Sequence, residues 1–158
     1  MAADVSTSEG RQEFVRRAEQ LAPGGIHVLV NNVGTNIRKP CESYADDDLR
    51  HLLSTNLESF FCLTRDCSAL LKAGKGSVVF VSSVAGGPLS MGSGVIYAMT
   101  KAAMNQLTRN LAVEWGKHGV RVNAVAPWYI ETDLANQVLK DEEFRKKVEA
   151  ATPLGRVG

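Results

Sequence analysis

The chain has little that would carry it into a membrane or out of a cell. No apolar run approaches the ~20 residues that span a bilayer. The opening MAADVSTSEG has neither the basic start nor the apolar stretch of a signal peptide, and no Arg-rich transit segment. Cysteine is scarce: Cys41, Cys62 and Cys67 are odd in number and lack zinc-ligand spacing. Cys62 and Cys67 fall in an apolar helical stretch and read as reduced core fillers, which leads to the expectation of a cytoplasmic protein. The three histidines are scattered, so no metal site is expected. Neither sign of charge dominates, with 18 basic against 17 acidic residues and no basic block, so nucleic acid and membrane surfaces are not indicated as partners. Repeats, low-complexity tracts and linkers are absent. What remains is a globular composition, 44% hydrophobic and 22% charged, and a length of 158 residues that suits a single domain, 1–158.

Strand and helix signals alternate along the chain. Ser6-x-x-Glu9 has the form of a capping box, followed by a helix with Phe14, Ala18 and Leu21 on one stripe and Pro23-Gly24-Gly25 at its end. Residues 26–30 are β-branched and apolar and read as a buried strand. Asp46-Asp47-Asp48 suits a helix start, where negative charge favours the macrodipole. A long helix with a wide apolar face runs from there to Gly74. Residues 77–81 and 120–125 are further strands. A helix begins near Val95 and stops at Gly119, and a last one covers about 141–150. This order implies βαβ units and a parallel sheet covered on both faces.

The most specific chemistry lies at Tyr97 and Lys101. Four apart on a helix, they share one face. A free tyrosine titrates near 10, and a neighbouring cation favours its phenolate, which makes such a phenol a usable acid or base. Ser83, just after the strand 77–81, can offer a hydroxyl to a carbonyl oxygen. In open α/β sheets ligands bind beyond the carboxyl ends of the strands, where each of these residues falls. The three suggest carbonyl reduction or alcohol oxidation.

The order Asn31-Asn32-Val33-Gly34, Asn56, Ser82-Ser83, Tyr97, Lys101 and Pro127-Trp128-Tyr129-Ile130-Glu131-Thr132 resembles the short-chain dehydrogenase/reductase family. Residues 97–115 (YAMTKAAMNQLTRNLAVEW) and 120–132 (VRVNAVAPWYIET) resemble, more narrowly, its tropinone-reductase-like branch in plants. The resemblance implies a Rossmann-like, three-layer αβα parallel sheet. It implies a catalytic set of Asn56, Ser83, Tyr97 and Lys101, with Tyr97 as proton donor in reduction, Ser83 on the substrate oxygen, and Asn56 holding a water that relays protons to Lys101. It implies NADP(H) as cofactor, with NAD left open. Asp4 and Val5 would lie near the adenine ring. Asn31, Val33 and Gly34 would shape the loop beside the cofactor, Tyr97 and Lys101 would meet the nicotinamide ribose, and Pro127, Ile130 and Thr132 would meet the nicotinamide. A small carbonyl or alcohol would be the substrate, in a pocket lined by residues 88–93 and 128–139. The helices bearing Asn56 and Tyr97 would pair with a second copy, or with a longer relative in a mixed dimer.

The sequence departs from the family in two ways. Thirteen residues separate Ser83 from Tyr97, where the family usually has twelve. Nothing matches the family's phosphate-gripping Thr-Gly-x-x-x-Gly-x-Gly, so the expected sheet is incomplete, without its first two strands and its last. Three readings follow: a reductase, a truncated inactive form acting as a binding or dimerising subunit, or an incomplete gene model.

Overall fold

The computed structural model describes residues 2–88 and 90–158. They form two compact units, Met1–Ala126 and Pro127–Gly158. In the first, a three-stranded parallel sheet has the order β1 (Val28–Asn31), β2 (Ser77–Val81), β3 (Arg121–Val125). The register sets Val28 beside Ser77 and Ser77 beside Arg121. The helices of this unit are α1 (Ser8–Leu21), α2 (Asp46–Leu53), α3 (Ser59–Asp66), α4 (Ser68–Ala73) and α5 (Val95–Gly116). The arrangement is an incomplete Rossmann-like sheet, as the strand and helix order leads one to expect.

The core lies on one face of the sheet. Leu29, Val78, Phe80 and Val122 point into it and meet Phe60, Leu63, Leu71, Met104 and Trp115 from the helices. Phe80 is fully buried and packs edge-on against Phe60, with ring centroids 5.7 Å apart. Burying a side chain of this size stabilises the fold by about 1.5–3 kcal/mol. Cys67 belongs to the same core, and burial pushes its thiol up to about 11. Cys62 is half-buried and Cys41 exposed, and all three thiols are free.

Several local expectations are corrected. The first strand is buried on one side only, with Val28 59% and Val30 54% exposed. It also starts later than Ile26, because that residue donates its N–H to the Leu70 carbonyl and the ladder begins where Ser77 donates to His27. The first helix is capped by Thr7 rather than Ser6. Thr7 Oγ1 accepts the Gly10 N–H at 3.1 Å, while the Ser6 hydroxyl and N–H are both spent on Asp4. Leu21 falls off the packed stripe and is 71% exposed. The long helix is three helices joined by a π-helical turn, Ser54–Glu58, and a break at Cys67. The helix bearing Tyr97 ends at Gly116, and Gly119, at φ +77°, carries the reversal into β3.

The second unit holds α6 (Asp133–Leu139) and α7 (Glu142–Ala150). The first of these was not anticipated from the sequence. Its small core joins Ala135, Leu139, Val148 and Val157, with Trp128, Tyr129 and Phe144 packed against it. Among the described residues no helix is long and apolar enough to cross a membrane.

Candidate active site

Tyr97 lies in the first turn of α5 and Lys101 one turn on. The i, i+4 spacing brings the Lys101 Nζ to 5.6 Å from the centre of the Tyr97 ring. Lys101 is 3% exposed, and its ammonium donates to the Val81 carbonyl at 2.7 Å, at the end of β2. Loss of solvent lowers its pKa from 10.5 to about 8. The amine is therefore poised near neutrality, in reach of a half-buried phenol.

Ser83 follows β2 and caps the short 3₁₀ turn Val84–Gly86, its Oγ accepting the Ala85 N–H at 3.1 Å. A serine hydroxyl has one proton to give and two lone pairs. The cap uses a lone pair and fixes the oxygen, leaving the proton for an outside acceptor. Ser82 is structural: it is buried, takes the Val125 carbonyl with its N–H, and donates its hydroxyl to the Lys101 carbonyl at 3.3 Å. Gly86 lies so close to α5 that a Cβ there would come within 2.5 Å of the Lys101 carbonyl carbon. The serine turn is thus pressed against the turn of helix that carries Lys101.

Asn56 is fully buried in the π-helical turn between α2 and α3. Its Oδ1 accepts the Thr35 N–H at 2.8 Å, and its Nδ2 donates to the Thr35 carbonyl at 2.7 Å. The side chain therefore holds the loop after β1 by both polar groups of one peptide residue. Gly34 stands beside it. A Cβ on Gly34 would sit 3.4 Å from Asn56 Oδ1 and 3.5 Å from Lys101 Nζ. The loop at Gly34, Asn56 and Lys101 is one cluster.

The residues expected to hold the cofactor fall into separate places. Val5, Asn31 and Val33 line a cavity of about 100 Å³, together with Phe14, Val30, Asn32, Ser59, Phe60 and Leu63. None of these comes from β2, so the cavity runs along the free edge of β1. Asn31 is buried and spends its amide on Thr64 Oγ1, at 2.9 Å. Asp4 is exposed, and the Ser6 hydroxyl and N–H hold its carboxyl below the usual range. Within the second unit, Thr132 is the N-cap of α6: its Oγ1 accepts the Ala135 N–H at 3.3 Å and donates to the Ile130 carbonyl at 3.3 Å. Ile130 is exposed and Pro127 half-buried. Of the stretch 88–93 expected at a substrate pocket, Leu89 lies outside the described residues.

Sequence reasoning missed Thr35 and Asn36. Thr35 signals itself only through its backbone. Asn36 is a polar residue 94% buried, and its neighbours in sequence gave no reason to single it out.

Comparison with known proteins bears on the family and the fold. Residues 1–158 match a family model described as enoyl-(acyl carrier protein) reductase. A tropinone reductase homolog of Arabidopsis thaliana is 49% identical over 98% of the chain, and a second, chloroplastic by name, is 47% identical. The chain spans 59% of the first relative's length and 48% of the second's. A gluconate 5-dehydrogenase of Burkholderia cenocepacia, crystallised with NADP and tartrate, superposes with a TM-score of 0.90 at 29% identity. That match covers 98% of this chain and 60% of the other. An NADH-dependent reductase of alginate metabolism gives 0.84 at 25% identity, over 100% of this chain and 61% of the other. With a family model matched end to end and relatives near half identical, the chain belongs to the short-chain dehydrogenase/reductase family, in its tropinone-reductase-like branch.

Proposed function

We propose that the chain carries the catalytic portion of an NADP(H)-dependent reductase of small ketones or related carbonyls. The observation that carries this reading is the single cluster of Tyr97, Lys101, Gly34 and Asn56 beyond the carboxyl ends of β1 and β2. Ser83 would donate its free proton to the substrate oxygen and steady the charge that grows there. Tyr97 would give the phenolic proton to that oxygen in reduction and take it back in oxidation. Lys101, placed against the Tyr97 ring, would stabilise the phenolate left behind. Asn56 would hold the Thr35 peptide and anchor a water that relays protons to Lys101.

The residues present fit part of the cofactor. The Lys101 ammonium and the Tyr97 hydroxyl suit a ribose diol, and the cavity beside Val5, Asn31 and Val33 is largely apolar and suits a flat ring. Asp4, Gly34, Pro127, Ile130 and Thr132 complete the proposed contacts. When bound, the nicotinamide supplies the hydride. Relatives bind NADP in one case and use NADH in another, so the choice of NADP here is part of the proposal. A site of action in the cytoplasm is also part of it, given a relative that is chloroplastic by name.

Association with a second copy or a longer relative is part of the same proposal. Val95, Met99, Ala102, Gln106, Arg109 and Val113 recur at helical spacing along α5, and all six are exposed, Val113 at 86%. With Phe61 on α3 they offer a face for a second copy or a longer relative. The test is titration of the 158-residue chain with NADPH, beside Tyr97→Phe, followed by a carbonyl screen. Micromolar binding with turnover that Tyr97→Phe lowers at least a hundredfold supports the proposal, the usual scale for losing a positioned acid. A folded chain that neither binds nor turns over, alone or with a longer relative, removes it.

A further inference from the structure

The helix that carries Tyr97 begins without a cap of its own. Its N-cap is Gly94, which has no side chain to hold the first-turn N–H groups. The chain instead anchors this end from a distance of 57 residues. Asn36 Nδ2 donates to the Ser93 carbonyl at 2.7 Å, immediately before the helix. Gly94 is in the left-handed region, at φ +99°, and a Cβ there would lie 2.8 Å from the Tyr44 hydroxyl oxygen and 3.1 Å from the Ile37 carbonyl oxygen. The Tyr44 hydroxyl in turn donates to the Ile37 carbonyl at 2.6 Å. Residues 35–37 are thus tied three ways in succession: Thr35 to Asn56, Asn36 to Ser93, and Ile37 to Tyr44.

The amide of Asn36 is an unusual choice for a place that only needs filling. Its Nδ2 is committed to Ser93, and its Oδ1 is buried with no partner. An unpaired buried acceptor costs stability, and an apolar residue of the same shape would avoid that cost. The amide is explained by what its one hydrogen bond does. It fixes the peptide from which Tyr97 is hung, and it does so from the same loop that Asn56 holds against Lys101. We infer that Asn36 is a positioning residue, which sets the start of α5 and so the place of the Tyr97 hydroxyl relative to Lys101 and Ser83.

This rests on the proposed role of Tyr97, but its test needs no turnover. The full chain, with three tyrosines, is labelled at tyrosine ¹³Cζ, the Tyr97 signal is assigned by its loss in Tyr97→Phe, and amide exchange is followed by mass spectrometry. Asn36→Leu keeps the branched shape and removes the donor. Asn105→Leu is the control: it removes the same kind of bond, Nδ2 to the Gly86 carbonyl at 3.0 Å, two turns further along α5. Asn36→Leu is expected to speed exchange of amides 95–101 about fivefold, the effect of one ordinary hydrogen bond on a local opening. It should also move the Tyr97 signal, with β2 and β3 unchanged. An unmoved Tyr97 signal, or one moved no more than by Asn105→Leu, overturns the inference. Should Asn36→Leu not fold, Tyr44→Phe loosens the same brace by one bond. It must then shift the Tyr97 signal and the 95–101 amides, and no shift overturns the inference equally. Failure of NADPH binding would remove the proposed function and leave these readings untouched.

Discussion

Lys101 places a cation where water does not reach, and the cost has a definite pH dependence. Below about pH 8 the amine is charged in the folded and unfolded chains alike, and the folded chain bears the full desolvation. Between about 8 and 10.5 it is neutral when folded and charged when unfolded, so the unfolded chain binds more protons and stability rises with pH. The shift is equivalent to about 3 kcal/mol. Urea denaturation should therefore show the parent gaining roughly that amount on Lys101→Met across the window, and a flat difference would contradict a buried cation. Asn56 makes a second case. Asn56→Ala strands both polar groups of Thr35 in a part-buried setting and should cost about 2–3 kcal/mol by the same measurement. Tyr97 and Lys101 were legible because the i, i+4 rule is local. Asn56 by itself was not, because asparagine is a poor helix former that reads as a solvent-facing polar residue, although Leu52 and Phe60, four residues to either side, are buried with it. Thr132 was read by resemblance as a cofactor contact, and the structure adds a role in capping α6.

At the scale of elements, the junction before α5 is closely packed. Gly94 needs a positive φ and has no room for a methyl group, so Gly94→Ala should lose about 1–3 kcal/mol and fray the turn of Tyr97 first. Gly92 also has a positive φ, at +60°, but nothing within 4 Å of its missing Cβ. Gly92→Asn should stay within about 0.5 kcal/mol of the parent, because asparagine tolerates this region and open surface sites forgive change. Thermal melts of the two variants check the contrast, and equal losses would show that φ alone governs the loop. Gly92 and Gly94 are the same residue type two positions apart, and only the folded contacts separate them. Strand β2 was read to the residue because its apolar run is bounded by Gly76 and Ser82. The helix α6 was missed because seven residues carry too little periodicity to stand out, although Thr132 has the residue type of an N-cap.

The sheet as a whole has two edge strands and, in this unit, helices over one face. Among the described residues, β1 and β3 pair only with β2. Strand–helix alternation predicts cover on both faces, and the exposure of Val28, Val30 and Val125 shows where that cover is thin. Period-2 geometry explains the pattern: Leu29 and Asn31 turn to the core, so Val28 and Val30 must turn away from it. Valines are what a strand buried on both sides carries, and here one side of β1 stands exposed. An apolar row beside an unpaired edge invites association. The double variant Val28→Thr, Val30→Thr keeps the β-branched shape and removes apolar surface. It should leave stability within about 0.5 kcal/mol, as exposed positions do, while reducing both dye binding by the folded chain and its self-association in sedimentation. Mixed with a longer relative, the parent should lose its dye binding and the variant should associate less tightly. If the parent binds no dye and sediments as a single species that the substitutions do not change, the valine face is not sticky, and association has to be sought on α5 at Met99 and Val113 instead.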